Sequence, residues 1–141
     1  MTRSELREEI FRLLFRVEFN PPEDMEEQKM LLLEEDRELL SESDEAYISQ
    51  KYEKIAAMLP EIDALLMEKA DGWKKKRMGK VELAILRQAV YEIREDDTVP
   101  AGAAINEAVE LAKKYGQENS GSFVNGVLAK FVKPQSKTAA K

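Results

Sequence analysis

The chain has 141 residues, 43% hydrophobic and 35% charged, so it can bury a core and is not disordered throughout. It contains no Cys and no His, which excludes disulfides, thiolate zinc sites and nucleophiles activated by histidine. Taken as an average, the net charge of −6 argues against nucleic-acid binding, but the charge is unevenly distributed. Residues 21–53 carry twelve acidic and three basic side chains, whereas residues 74–80 carry five basic and no acidic ones.

Targeting and catalytic patterns are not found in the sequence. No apolar run approaches the ~20 residues of a membrane span, and residues 1–5 lack the apolar core of a signal peptide. We therefore expect a cytoplasmic protein with no membrane contact. The acidic stretch contains no calcium-loop pattern, and no motif for carboxylate catalysis is present. We expect no enzymatic activity, no metal and no cofactor.

A first helix is predicted at the N-terminus, because Thr2 and Glu5 have the spacing of a capping box. Asn20-Pro21-Pro22 should end it. Apolar residues recur at helical spacing and predict its core face: Leu6, Ile10, Leu13, Leu14 and Val17.

An aromatic row lies beside this core face. Its members are spaced four residues apart: Phe11, Phe15 and Phe19. Arg12 and Arg16 continue the surface past the row, and Arg3 and Arg7 lie at its other border. Rings beside guanidiniums suit single-stranded RNA, because bases stack and phosphates pair. The other interpretation, which the residues alone favour, is a wide core face with a solvated arginine rim, because apolar helical stripes are usually core.

Three further helices are predicted before residue 73. The second runs from about residue 23 to residue 40. Its apolar contribution is Met30, Leu32, Leu33 and Leu39. Ser41 to Asp44 form an N-cap signal, so the third helix should begin near Asp44 and end or kink at Pro60. The apolar pattern then resumes up to Asp71-Gly72.

The C-terminal half predicts three more helices. The almost wholly apolar run from Val81 to Ile93 is typical of a helix at the centre of a fold. Pro100 should lie near the first turn of the next helix, and Gly116 should end that helix. No strand pattern competes with these helices, so the predicted fold class is all-α.

The last helix should be capped by Asn119 or Ser120 and ended by Pro134. Gly126 lies inside it, which predicts a close helix crossing, since glycine costs ~1 kcal/mol there relative to alanine. Residues 134–141 are interpreted as a disordered basic tail.

Two polar segments are candidates for phosphate binding. The basic residues of 74–80 could hold phosphates or form a solvated turn. Residues 117–122 lie at a predicted helix start, where free N–H groups bind phosphate, or they form an ordinary capped loop. The capped loop is the commoner case, and the flanking residues Lys113, Lys114 and Phe123 add some weight to the functional interpretation.

Three C-terminal segments resemble the NusB family in sequence, order and spacing. They are MGKVELAILRQAVYEI at 78–93, the Val99-Pro100 pair followed by AINEAVELAKKYG at 104–116, and SGSFVNGVL at 120–128. The resemblance covers about residues 73–133, is looser in the first helix and is only helical in character over residues 20–72. It implies a NusB-like all-α bundle of two packed helical halves with about six to seven helices. The implied single domain spans residues 1–133, with halves of about 1–70 and 71–133.

The resemblance also implies a function. Members of this family are bacterial transcription antitermination factors that pair with NusE, a ribosomal protein of the small subunit. The pair holds the boxA element of nascent single-stranded RNA and joins the antitermination complex on RNA polymerase, notably on ribosomal RNA operons. Such proteins occur as monomers and as dimers that hide their RNA surface, so the sequence does not decide whether this chain forms a homodimer.

The family's functional positions can be placed on this chain. Together with Arg16 and Lys113 from the charge pattern, the predicted RNA-binding set is Arg3, Arg7, Phe15, Arg16, Lys113, Gln117, Glu118, Asn119, Ser120 and Phe123. Glu82 falls on a position that the family uses toward NusE. The predicted partner-binding set is Lys80, Glu82 and Arg87.

Two departures from the family pattern bear on affinity. Only Arg3 and Arg7 match the basic positions of the family's arginine-rich N-terminal motif. Asn119 stands where an Asp is common, and its neutral amide removes a repulsion from phosphate. We therefore expect weak binding of boxA-like RNA by the protein alone and useful binding only with its partner.

Two other interpretations stay open. The acidic average would suit a helical protein-interaction module without RNA contact. A NusB-like domain also precedes the catalytic domain of some RNA cytosine methyltransferases, but the chain ends at Lys141 and has no catalytic Cys, so we do not expect that enzyme here.

Overall fold

The computed structural model describes residues 1–69 and 79–132, and every regular element in these ranges is helical. The described α-helices are α1 (Arg3–Val17), α2 (Met25–Glu35), α3 (Glu42–Ala57), α4 (Leu59–Lys69), α5 (Lys80–Glu95), α6 (Ala101–Tyr115) and α7 (Ser120–Ala129). The prediction of an all-α fold with six to seven helices is confirmed. The basic residues 74–77 and the predicted tail at 134–141 lie outside the described residues.

The chain forms two compact units, Met1–Met58 and Leu59–Lys141. In the first unit α1 packs against both α2 and α3. In the second, α5 packs against α4, α6 and α7, and α6 runs along α7. The division predicted near residue 70 falls at the edge of a stretch that the structure does not describe, so the single domain with that boundary stays a prediction.

Capping boxes begin α1 and α3. The Thr2 hydroxyl accepts the Glu5 N–H at 3.1 Å, and the Glu5 carboxylate accepts the Thr2 N–H at 2.8 Å. Ser41 and Asp44 make the same exchange at 3.0 and 3.1 Å, so α3 begins two residues before the predicted start at Asp44. The Met1 ammonium, 3.2 Å from the Asp44 carboxylate, ties the two helix starts together.

The prediction of a helix from residue 23 to residue 40 was too long. α2 is flanked by single 3-10 turns at Pro22–Asp24 and Arg37–Leu39. Glu34, Glu35 and Asp36 bring negative charge to the C-terminal end of α2, where the helix dipole is also negative, which favours an early end. Leu32 is buried as predicted, but Met30 and Leu39 are 63% and 66% exposed and do not serve the core.

The apolar run in the second unit forms the best buried helix. Ten consecutive residues of α5, from Leu83 to Glu92, are buried, which confirms the predicted central helix. Three of the ten are polar or charged: Arg87, Gln88 and Glu92. Arg87 donates two hydrogen bonds to the Asp63 carboxylate of α4, at 2.9 and 2.7 Å, and so joins α5 to α4.

Gly126 does not mark a close crossing, contrary to the prediction. Its position is exposed, and no atom of the described residues lies within 4 Å of an added Cβ. The α-helix ends at Ala129, before the predicted stop at Pro134, which lies outside the described residues. The prediction for Pro100 is confirmed, since it directly precedes α6 and its carbonyl accepts the Ala104 N–H.

Candidate nucleic-acid interface

The corner between α6 and α7 holds most of the predicted RNA-binding residues. α6 ends where the Gly116 N–H donates to the Ala112 carbonyl at 2.8 Å, and a short loop then leads to Ser120. Ser120 is 4% exposed. Its hydroxyl oxygen accepts the Gln117 N–H at 2.8 Å, and its own backbone N–H donates to the Gln117 carbonyl at 3.0 Å. This pair of hydrogen bonds fixes the loop conformation.

The Ser120 hydroxyl also reaches another helix. It donates its single proton to the Glu82 carboxylate in the first turn of α5. The same carboxylate lies against Gly79, where an added Cβ would clash with Glu82 Oε1. Glu82 is therefore held between the start of α5 and the start of α7. The structure thus brings together one residue predicted to bind the partner and one predicted to bind RNA.

The rest of the loop is open to solvent. Gln117, Glu118 and Asn119 are exposed, and the Asn119 side chain makes no capping hydrogen bond to α7. Sequence analysis offered Asn119 or Ser120 as the cap; Asn119 occupies the cap position, while the Ser120 side chain bonds backward to Gln117 and across to Glu82.

The start of α7 has the chemistry of an anion site. In the described part of the chain, the backbone N–H groups of Gly121 and Ser122 have no hydrogen-bond acceptor. The Lys113 side chain passes this point, because its Cγ is 3.7 Å from the position of a Cβ on Gly121. The Lys113 side chain is 66% exposed, and its ammonium lies 3.7 Å from the Glu110 carboxylate. Phe123 is half-buried, one turn into α7.

In the first unit, the predicted N-terminal cations have different surroundings. The Arg3 guanidinium lies 4.6 Å from the ring centroid of Tyr47, and the Lys51 ammonium lies 5.5 Å from the same ring. Arg7 is only 8% exposed. The Arg16 guanidinium donates to the Gln28 carbonyl at 3.2 Å and to a carboxylate of α2 at 3.3 Å. Arg3 is the most accessible of the three predicted arginines.

The aromatic row runs from the core to the surface. Phe11 is 2% exposed, Phe15 is half-buried and Phe19 is 58% exposed. Neighbouring rings touch, with centroids 6.3 Å apart for the first pair and 5.0 Å for the second. The core interpretation therefore holds for Phe11, and only the far end of the row offers a ring face to solvent.

Tyr47 of α3 is a candidate that the sequence analysis did not single out. A ring between two cations can stack a base while the cations meet phosphate. The i, i+4 spacing of Tyr47 and Lys51 was the available signal. The contribution of Arg3 comes from another helix and could not be read from the spacing.

The predicted partner-binding residues do not share one environment. Lys80 is exposed as the first residue of α5, and Glu82 is half-buried. Arg87 is 3% exposed and is committed to Asp63, so its guanidinium has a structural partner within its own unit. Across residues 1–69 and 79–132 there is no cluster of candidate metal ligands, and no helix is long and apolar enough to cross a membrane.

Comparison with known proteins identifies the family. A model described as the NusB family matches residues 4–133. The transcription antitermination protein NusB of Agathobacter rectalis is 53% identical over 131 residues, which cover 93% of this chain and 99% of that protein. The structure of T. maritima NusB is 32% identical with a TM-score of 0.85, covering 99% of this chain and 98% of that one. A crystal structure of the antitermination factors NusB and NusE in complex with double-stranded RNA has a TM-score of 0.73 at 30% identity, covering 92% and 96%. The resemblance seen in the sequence is confirmed, and the chain belongs to the NusB family.

Proposed function

We propose that this protein is a transcription antitermination factor that holds boxA-type single-stranded RNA together with NusE. It helps to assemble the antitermination complex on RNA polymerase, notably on ribosomal RNA operons. Family membership supports the role, and a related structure contains NusB, NusE and RNA. The observation on this chain that carries the proposal is the exposed start of α7, with two open amides beside Lys113.

In this proposal the α6–α7 corner binds the RNA backbone. The amides of Gly121 and Ser122 and the positive end of the α7 dipole attract a phosphate. Lys113 adds a full charge, and the neutral Asn119 adds no repulsion. Phe123 supplies a ring for a base. Glu118 is the one residue of the predicted RNA-binding set whose negative charge repels a phosphate.

Glu82 and Lys80 belong to the proposed partner surface at the start of α5. Because Glu82 accepts the Ser120 hydroxyl, a partner that draws on the Glu82 carboxylate also acts on the loop that presents RNA. We leave Arg87 out of this surface, since its guanidinium is buried against Asp63. Through the hydrogen bond between Ser120 and Glu82, binding of the partner would increase the affinity for RNA, and binding of RNA would increase the affinity for the partner.

The first unit contributes less to RNA binding in this proposal. Arg3 with Tyr47 offers one stacking platform, whereas Arg7 is buried and Arg16 is paired with α2. Low affinity without NusE follows, as the sequence predicted. The protein performs no chemistry of its own, and, because bacterial transcription is cytoplasmic, it acts there.

The proposal is tested with labelled boxA-type RNA in fluorescence anisotropy, with and without NusE and across salt concentrations. Lys113→Gln should lower the salt slope by about one unit, whereas the exposed Lys54→Gln of α3 should leave it unchanged. Asn119→Asp should improve α7 capping and still weaken RNA binding, which separates folding from repulsion of phosphate. The RNA role fails if both Lys variants behave alike and Asn119→Asp binds as well as the parent.

The second candidate function is a protein-interaction module without RNA contact. The observation in its favour is that Arg16 and Arg12 of α1 form ion pairs with carboxylates of α2 and the turn after it. NusE binding that persists while RNA binding is absent at every salt concentration would favour this function.

A further inference from the structure

α2 is apolar on two opposite faces. Met25 and Leu32 are 6% and 0% exposed on the side that packs against α1. Met30 and Leu31 are 63% and 50% exposed. At 3.6 residues per turn, the exposed pair points roughly 160° away from the buried pair. Core packing therefore explains one face of α2 and leaves the other unexplained.

The exposed side chains of Met30 and Leu31 are surrounded by acidic residues. Glu27 and Glu34, one turn to either side, are exposed on the same face of the helix. Residues 23–38 hold eight acidic side chains. Cations that pair with these acids are Arg12, Arg16, Lys29 and Arg37. This surface is therefore both apolar and net negative.

The surface continues beyond the end of α2 into an open hollow of about 560 Å³. Its lining is Glu34, Glu35, Asp36, Arg37, Glu38 and Leu39. Leu39 is 66% exposed, so a third large apolar side chain is available there. Side chains this exposed contribute little to a core, and three of them within residues 30–39 are typical of an interaction site.

We propose that this acidic α2 face, defined by Met30, Leu31 and Leu39 with the surrounding carboxylates, docks a cationic segment of another protein. The segment would carry apolar side chains on one side and Lys or Arg on the other. RNA is repelled by the carboxylates, and a second copy of this chain would oppose like charge with like charge. The face belongs to the first compact unit, whereas the proposed RNA loop and Glu82 belong to the second. The inference therefore stands whether or not the proposed function does.

The test uses the full chain and a short, fluorescein-labelled synthetic peptide of alternating Leu pairs and Lys pairs at physiological salt. Amide NMR shifts should concentrate in residues 25–39. Met30→Gln with Leu31→Gln should raise Kd by about 10-fold or more, because the variant removes two apolar side chains from the contact. Glu27→Gln with Glu34→Gln should flatten the salt dependence of Kd. Met67→Gln, which alters a 43% exposed methionine of α4, is the matched control and should leave Kd unchanged.

Three results would overturn the inference. One is an equal Kd for the Met30/Leu31 variant and the Met67 variant, because general attraction to an acidic protein would then explain binding. Another is loss of self-association in the Met30/Leu31 variant, which would make a second copy the occupant. The third is a change in the α2 amide shifts on Lys137→Gln with Lys141→Gln, which would assign the face to this chain's own C-terminal residues. Unchanged melting temperatures exclude misfolding as a cause.

Discussion

Glu9 of α1 carries a carboxyl group in a site that disfavours its charge. The residue is 6% exposed, and its Oε1 has no hydrogen-bond partner among the described residues. Burial raises the pKa of Glu9 from 4.5 to about 7, and two effects of Asp36 add to it. The protonated Glu9 carboxyl donates a hydrogen bond to Asp36, and the Asp36 charge repels an ionised Glu9. Arg12, 3.5 Å away, offsets only part of this effect.

The consequence for stability follows from the direction of that shift. Because the pKa of this acid is higher in the folded than in the unfolded state, the folded chain binds the proton more tightly. The stability contributed by Glu9 is present at acidic pH and is lost as the pH rises from 4.5 through 7. A shift of this size corresponds to about 3 kcal/mol, most of which is lost between about pH 5 and about pH 8.

Glu9→Gln tests this reasoning by keeping the shape and removing the ionisation. The Gln amide can donate a hydrogen bond to Asp36, as the protonated carboxyl does. Urea unfolding should show the variant about 2 kcal/mol more stable than the parent near pH 8 and nearly equal near pH 5. Glu68→Gln, an exposed carboxylate of α4, should change stability by at most about 0.5 kcal/mol at either pH. Parallel pH profiles for the parent and Glu9→Gln would refute the argument.

Three other substitutions test the fold, each by chemical denaturation. Asp63→Ala leaves the Arg87 guanidinium, whose side chain is 4% exposed, without its carboxylate partner, so it should cost about 3–5 kcal/mol; a loss below about 1 kcal/mol would show that the pair is dispensable. Gly126→Ala should stabilise the protein by about 1 kcal/mol, because an added Cβ meets open space among the described residues, and a destabilised variant would contradict that geometry. Thr2→Ala should cost about 1 kcal/mol through loss of the α1 cap while Thr2→Asp retains most of the stability, and equal losses in both variants would argue against capping.

The elements that depend on a few neighbouring residues were predictable from the sequence. The capping box at Thr2 needs only Thr2 and Glu5 within one turn, and it placed the start of α1 correctly. The apolar run of α5 marked the most buried of the described helices. A helix that is apolar on nearly every side exposes apolar surface in any orientation unless it lies at the centre of the fold. The residue pattern was therefore sufficient to predict where helices form and which of them lies at the centre.

Features that depend on contacts between helices were not predictable. The pattern of α1 cannot show that Arg7 is buried while Arg3 lies over Tyr47, because Tyr47 comes from α3. The apolar residues of α2 look equivalent in the sequence, yet Leu32 is buried and Met30 is exposed. Assigning one face to the core requires the position of α1, which no local rule supplies.

The candidate site shows the same division. The loop before α7 was selected by its polar composition and position at a helix start, and the structure gives it an exposed surface. The hydrogen bond from Ser120 to Glu82 was outside the reach of sequence patterns, since it joins residues 38 positions apart. It changes the interpretation of Ser120 from a surface RNA contact to a buried residue that positions the loop.

The charge balance at the α6–α7 corner explains why the protein should depend on a partner to hold RNA. Lys113 and Lys114 are matched in number by Glu110 and Glu118, and Lys113 lies 3.7 Å from Glu110. Charges beyond about 8 Å are largely screened at physiological salt, so this local set of four charges dominates the field at the corner. The net formal charge of this local set is therefore zero, and besides the contact from Lys113 the start of α7 adds a dipole attraction of about 0.3–1 kcal/mol for an exposed group. That is enough to set where a phosphate lies but too little to hold an RNA strand. In the proposed function, further cations and base contacts therefore come from the bound partner, in addition to the Arg3–Tyr47 platform of this chain.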